Sequence, residues 1–398
     1  MEHTSSYVDI ETPKAGLYVH VPICRSKCPY CDFYSIPSTA VVHDWIKALK
    51  QEALLYRGRF SQFDTLYLGG GTPTVLTPKE IHVVMETVLK HFSLSRSPEI
   101  TIEANPTDLT PEKLSTYREL GINRVSLGVQ SFEEGDLKML GRRHTACEAT
   151  ASLEMIVESG FDNFGIDLIY GLPGQREQEW LRTLEKALAF HPPHVSCYQL
   201  TVSSGTPLGA RMARGLFIMP DEEDQRRLFL AASNYMEAEG YVHYEISNFA
   251  RRAKNGRLGG EHDPLSGSDG GPSLCRHNLK YWDRTPYLGL GPSAHSFLGS
   301  LRWWNHRSLA RYCKALDLGQ APLAGCERLS EEQARLERLF LALRTRSGMA
   351  LEELLQYPNA EAILSDLLRQ GYVHLVRERV VPTEEGFLVA DRLPLILC

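Results

Sequence analysis

The chain has no apolar run approaching the ~20 residues that span a bilayer, which argues against a transmembrane helix. Its opening, MEHTSSYVDIETP, lacks the basic-then-apolar layout of a signal peptide and the Arg-rich character of a transit peptide. The expected compartment is the cytoplasm. There is no excess of positive charge either: 43 Lys and Arg stand against 49 Asp and Glu, a net charge of −6. Only short basic clusters occur, Arg142-Arg143-His144 and Arg251-Arg252, so nucleic acid is not an expected partner. Nine cysteines in 398 residues are too few, and the chain too long, for a disulfide scaffold. With 43% apolar and 23% charged residues, the composition is that of a folded globular protein rather than a disordered, collagenous or coiled-coil one.

What is present is alternation. Short β-rich runs at Leu17–Val21, Thr65–Leu68, Glu99–Ile102, Arg124–Val129, Asn163–Ile169 and His194–Val202 alternate with helical stretches. Thr77-Pro78-Lys79-Glu80 supplies an N-cap, a proline at the first helical position and a capping-box glutamate. In a later helix Ala149, Leu153, Ile156 and Val157 are expected to form one apolar face, with Gly160 at its end. Six βα units in about 200 residues predict an α/β fold with a parallel sheet, either doubly wound or curved into a barrel. Ligands then bind at the C-terminal strand ends. Unusual residues gather there: Cys24 to Cys31, Gly69 to Pro73, Glu103, Gln130 and Asp167.

The expected organisation is a tail over 1–16, a core over 17–210, a less regular extension over 211–325 and a C-terminal domain over 326–398. Within the extension, 253–274 holds six glycines and reads as a mobile loop. The C-terminal domain begins with a capping box at Ser330-Glu-Glu-Gln333. It continues in helices to about 370, a hairpin over Tyr372–Val381 and a last helix, a small winged-helix-like pattern. Its mixed charge argues against DNA binding.

Cys24-x3-Cys28-x2-Cys31 follows the first strand directly. Random placement of nine cysteines would give this spacing about 0.005 times, so it needs a chemical reason. Buried structural thiols fit three cysteines on one loop poorly. A zinc site would want a fourth ligand, and the nearby His20 sits within the strand. Three thiolates on a [4Fe–4S] cluster would leave one iron open to a small chelating molecule.

This spacing resembles the signature of radical S-adenosylmethionine (SAM) proteins. The resemblance implies a partial (β/α)6 barrel with a [4Fe–4S] cluster at Cys24, Cys28 and Cys31, whose open iron chelates SAM. An electron from the cluster then cleaves the sulfonium to a 5′-deoxyadenosyl radical. Further motifs are similar to the oxygen-independent coproporphyrinogen III oxidase group: Tyr18-Val-His20-x-Pro22, Gly69–Pro73, Glu103-Ala-Asn-Pro106, Gly128-Val-Gln130-Ser-Phe132 and Asp167-Leu-Ile-Tyr-Gly-Leu-Pro173. The group's SAM contacts carry over to Tyr18, Tyr30, Gly70, Gly71, Thr72, Glu103, Gln130, Arg142 and Asp167. Thr201 and His295 fall where its second-SAM contacts lie.

Within that group the chain looks like the HemW haem-chaperone branch rather than the true oxidases. The oxidases carry a fourth cysteine where Phe33 stands here, and a longer N-terminal arm than the 16 residues before Leu17. His277-Asn-Leu-Lys-Tyr281-Trp282 matches the branch's HNxxYW motif. The resemblance implies haem as cargo near His277, with Tyr281 and Trp282 offering flat apolar surface. It also implies a cytochrome-type haem acceptor, free or membrane-bound, and an electron donor such as flavodoxin or ferredoxin. The residues alone allow a second reading, in which His277 is a hydrogen-bonded structural residue and the aromatics are core. Cys275, two residues before His277, reads as a bystander. The 253–274 segment is either a flap admitting haem or an unrelated insertion; the insertion is preferred. Two roles for SAM stay open, radical source and structural or gating ligand. The rival activity is oxidative decarboxylation of coproporphyrinogen III.

Overall fold

The computed structural model describes residues 14–252 and 273–392. The expected 253–274 loop therefore lies, except for its last two residues, outside the described residues, as does the tail before Lys14.

Six strands pair in parallel in chain order: β1 (Ala15–Val21), β2 (Phe63–Gly70), β3 (Leu94–Ala104), β4 (Arg124–Gln130), β5 (Phe164–Tyr170) and β6 (His194–Gln199). The connections carry α1 (Val42–Tyr56), α2 (Pro78–His91), α3 (Pro111–Glu119), α4 (Glu134–Met139), α5 (Ala146–Glu158) and α6 (Glu177–Leu188). Because the order never reverses, there is no switch point, and the doubly wound alternative falls. The fold is a partial (β/α)6 barrel.

The helices start where their capping residues stand. Thr77 and Glu80 bond reciprocally at the head of α2, and Thr145 and Glu148 do so at the head of α5. On α5 the buried face is Ala149, Ser152, Leu153 and Ile156. The expectation for Val157 is corrected: it is 48% exposed, one position past the stripe.

The region after residue 210 is more regular than expected. α7 (Pro207–Ala213) and α8 (Glu222–Ala238) lead to β7 (Tyr241–Glu245) and β8 (Asn248–Arg251), an antiparallel pair added beside β6. α9 (Arg276–Trp282) leads to β9 (Tyr287–Leu290), parallel to β1. β10 (His295–Leu298), β11 (Leu301–Asn305), α10 (Leu309–Asp317) and β12 (Leu323–Arg328) complete a sheet of twelve strands. The charged face of α8 hid a helix that begins at its own aspartate cap, Asp221. After it, α11 (Glu331–Ala342), β13 (Met349–Ala350), α12 (Leu351–Leu354), α13 (Ala360–Arg369), the β14 (Val373–Val376)–β15 (Arg379–Pro382) hairpin and α14 (Glu384–Leu388) form a winged-helix-like unit with its own core. No described helix is long and apolar enough to cross a membrane.

Strand alternation divides the barrel residues into two sets. Leu17, Val19, Val21, Leu66, Leu68, Ile102, Val125, Leu127, Ile166 and Leu168 join the main hydrophobic core. The intervening positions are polar and still buried: His20, Thr65, Thr101, Arg124, Ser126, His194 and Ser196. The barrel interior is therefore a polar, hydrogen-bonded space.

Helix α9 closes the N-terminal end of that interior. Glu99 in the middle of β3 accepts the backbone N–H groups of Arg276 and His277 at 3.2 and 3.0 Å. Lys280 Nζ donates to the Lys14 carbonyl and pairs with Asp64, each at 2.7 Å. His277 Nδ1 lies 2.8 Å from Thr65 Oγ1, and its Nε2 lies 3.0 Å from the Tyr281 hydroxyl.

At the opposite face of β1, the buried Glu52 of α1 accepts from Gly291 N–H, Asn305 Nδ2 and the Tyr312 hydroxyl. One carboxylate thus fastens the β9–β11 extension to the first helix. Burial raises its pKa from 4.5 to about 7, against the lowering effect of those three bonds. Between those values the folded state keeps a proton that the unfolded state has released, so Glu52 weakens the fold as pH rises through this window. Urea unfolding across pH 5 to 8 is expected to show a shallower loss of stability with pH in Glu52→Gln than in the parent chain; an unchanged slope would contradict this assignment.

Candidate functional site

The C-terminal strand ends surround a cavity of about 480 Å3. Of the residues expected to contact SAM, it is lined by Tyr30, Gly70, Gly71, Thr72, Glu103, Gln130, Arg142 and Asp167. Cys31 and Thr201 also line it. The cysteine loop forms one wall.

The glycine turn after β2 lies against this loop. Gly71 N–H and Thr72 N–H donate to the carbonyls of Val21 and Ile23, both at 2.8 Å. A Cβ on Gly71 would meet those carbonyl oxygens at 2.7 and 2.6 Å, so only glycine allows the approach. Thr72 Oγ1 then donates to Cys24 Sγ at 3.4 Å.

The polar wall is built by three residues in different settings. Glu103 accepts from the Tyr67 hydroxyl and from Gly70 N–H, both at 3.0 Å. Burial first, then Asp167, raises its pKa to about 7. Asp167 accepts from Ser126 Oγ at 3.1 Å, and burial raises its pKa too. Arg142 donates through Nη2 to the Gly128 carbonyl at 2.7 Å and through Nη1 to Cys28 Sγ at 3.5 Å. Its buried Nε has no partner. Gln130 adopts φ +70° at a register shift in β4, a backbone that a non-glycine residue adopts only at a cost. Gly128 makes room beside it, since a Cβ there would stand 2.9 Å from Gln130 Nε2.

The three thiols are free and share one loop. Burial raises the Cys31 pKa, and Cys28 and Cys24 add to the rise. Among the described residues, no three His, Cys, Asp or Glu side chains stand close enough to hold a single metal ion. His20, the fourth ligand that a zinc site would want, is otherwise engaged: its Nδ1 lies 3.1 Å from the Tyr18 hydroxyl and its Nε2 2.9 Å from the Tyr34 carbonyl.

A smaller cavity of about 350 Å3 lies beside the first, and Asp32 and Phe33 border both. Tyr18 and His295 line this second space, together with Tyr34, Tyr281, Tyr287 and Arg307. The His295 ring stacks on Trp304 at 5.9 Å. Burial and Arg302 lower its pKa.

A match to the radical SAM superfamily spans residues 18–187. The chain is 35% identical over 384 residues to the haem chaperone HemW of Mycobacterium tuberculosis, covering 94% of this chain and 93% of that one. It is 31% identical over 387 residues to HemW of Bacillus subtilis, covering 94% and 97%. The chain belongs to the HemW haem-chaperone family. The structure of coproporphyrinogen III oxidase (HemN) from Escherichia coli matches with a TM-score of 0.79 at 23% identity, covering 97% of this chain and 90% of that one. At that identity the likeness shows the fold.

The residues of the HemW motif fall in different settings. His277 is 2% exposed and both its ring nitrogens are bonded, to Thr65 and Tyr281. Burial lowers its pKa to about 3, and its ring stacks on Tyr67 at 5.1 Å. Both nitrogens are thus engaged within the protein. Tyr281 and Trp282 were expected to share one flat surface. Instead Tyr281 lines the smaller cavity, while Trp282 lines a cleft against the C-terminal unit, because adjacent helical positions point about 100° apart.

Sequence reasoning missed Tyr67, Tyr198 and Ser126, which also line the main cavity. Strict alternation along β2 would have found Tyr67, the inward position between Leu66 and Leu68. It also missed Asp108, fully buried, which receives Arg25 Nε at 2.7 Å and Arg143 Nη2 at 3.1 Å. These bonds anchor the start of the cysteine loop to the β3 and β4 connections. Asp108→Ala removes them and is expected to lower stability by about 2 kcal/mol. Limited proteolysis should then cut more readily between residues 25 and 36; cleavage at the parental rate would dissociate Asp108 from loop anchoring.

Proposed function

We propose that this chain is a haem carrier that uses a [4Fe–4S] cluster and SAM, and that delivers haem to a cytochrome-type acceptor. The observation that carries the reading is the junction of the three-thiol loop with the polar cavity at the strand ends, in a chain similar to HemW chaperones along 94% of its length. A mononuclear metal would need the three thiols to converge on one point. Separate thiols on one loop suit a cluster, in which each thiolate takes its own iron. Cys24, Cys28 and Cys31 would hold it, with Thr72 and Arg142 donating to two of the sulfurs.

The cavity fits SAM on its own chemistry. The unpartnered Arg142 Nε is a buried donor suited to a carboxylate. Glu103 is held by Tyr67 and Gly70 as an acceptor for ribose hydroxyls, with Asp167 alongside. Gln130 enters from its strained position. When bound, the cluster would supply the electron that cleaves the sulfonium, drawn from a flavodoxin- or ferredoxin-type donor. The protein's residues orient SAM and limit access of water.

Two measurements test this reading. After anaerobic reconstitution the parent chain is expected to carry iron and sulfide, and Cys28→Ala to lose most of both. Incubation with coproporphyrinogen III, SAM and reductant is expected to give no protoporphyrinogen IX, while haem passes to an acceptor; clear turnover would make it an oxidase. The Glu103 pKa of about 7 adds a pH dependence. Ribose hydroxyls donate to the ionised carboxylate, so SAM should bind more tightly as pH rises through 7. In Glu103→Gln this dependence should vanish and affinity fall about tenfold. An equal pH slope in both proteins, read by calorimetry, would remove Glu103 from the SAM site.

A further inference from the structure

We infer that the smaller cavity beside the cysteine loop is the seat of the haem, with His295 as the axial ligand of its iron. The inference rests on the haem-carrier reading and adds where the cargo sits.

Three observations carry it. First, His295 makes no side-chain hydrogen bond among the described residues, in contrast to His20 and His277 nearby, whose ring nitrogens are all engaged. Its ring is held in plane against Trp304 rather than through its nitrogens. An imidazole so placed keeps a lone pair for iron. Second, the walls are aromatic. The Tyr18 hydroxyl is bonded to His20 and that of Tyr281 to His277, so both contribute ring surface, and Phe33 at the rim is 71% exposed. Flat apolar rings suit a porphyrin. Third, Arg307 stands at the edge, exposed; its Nη2 donates to the Asp32 carbonyl at 2.8 Å and lies 3.8 Å from the Asp32 carboxylate, which leaves its other N–H groups as donors for a propionate. At about 350 Å3, with His295 and Arg307 both facing solvent, the space would grip the macrocycle by one side. A carrier needs that arrangement, since its acceptor must reach the other side.

The test is titration of ferric haem into the full-length parent protein and His295→Ala, read by the Soret band and by affinity. Removing a ligand costs at least as much as removing its supporting partner, roughly 10–100-fold. His295→Ala is therefore expected to shift the Soret band and weaken binding about tenfold or more. Free imidazole added to the variant should restore the parental spectrum, which a folding defect would not allow. An unchanged spectrum and affinity would overturn the assignment. So would a variant that loses a second equivalent of SAM while binding haem as the parent does, since the cavity would then be a nucleotide subsite. If the parent chain takes up no haem at all, the carrier reading itself fails.

Discussion

Two carbonyls at the end of β1 and just beyond it, those of Val21 and Ile23, accept the N–H groups of Gly71 and Thr72 from the neighbouring turn. The contact is so close that a single methyl group on Gly71 would prevent it. The rest of the site follows from this backbone contact. The cysteine loop starts at the next residue, so its position relative to the cavity is set before any ligand arrives. The same turn directs Gly70 N–H toward Glu103 and Thr72 Oγ1 toward Cys24. Pre-set donors of this kind need no rearrangement at the moment of binding.

The barrel interior holds buried carboxylates, an arginine and several histidines, which would be costly if left unpaired. Helix α9 resolves much of that cost. Glu99 caps its first N–H groups, Thr65 and Tyr281 occupy the His277 ring, and Tyr67 stacks on that ring while bonding Glu103. The motif that resembles a haem signature is thus also the floor on which Glu103 is braced. A substitution at His277 would disturb the cavity from beneath.

Much of this was legible in the sequence. The six strands follow from alternation, and α2, α5 and α11 start at capping boxes whose partners lie three residues away. Eight of the nine residues expected around SAM line one cavity because the fold collects strand ends, and strand ends are visible locally. The exceptions depend on long-range contacts. Tyr18 points into the neighbouring space; Asp108 finds Arg25 and Arg143, 83 and 35 residues away; the bonds of His277 come in part from β2, 212 residues away. No local pattern records such pairings. The extension after residue 210 read as irregular because its strands are only four to six residues long and its longest helix is highly charged.

Phe33 stands two residues past the third cysteine of the loop, and its ring borders both cavities. Covering a large apolar side chain is worth ~1.5–3 kcal/mol. A molecule on either side that shields part of this ring changes the apolar surface left for the other. Two ligands that both covered this ring would therefore be thermodynamically linked, with equal influence in both directions.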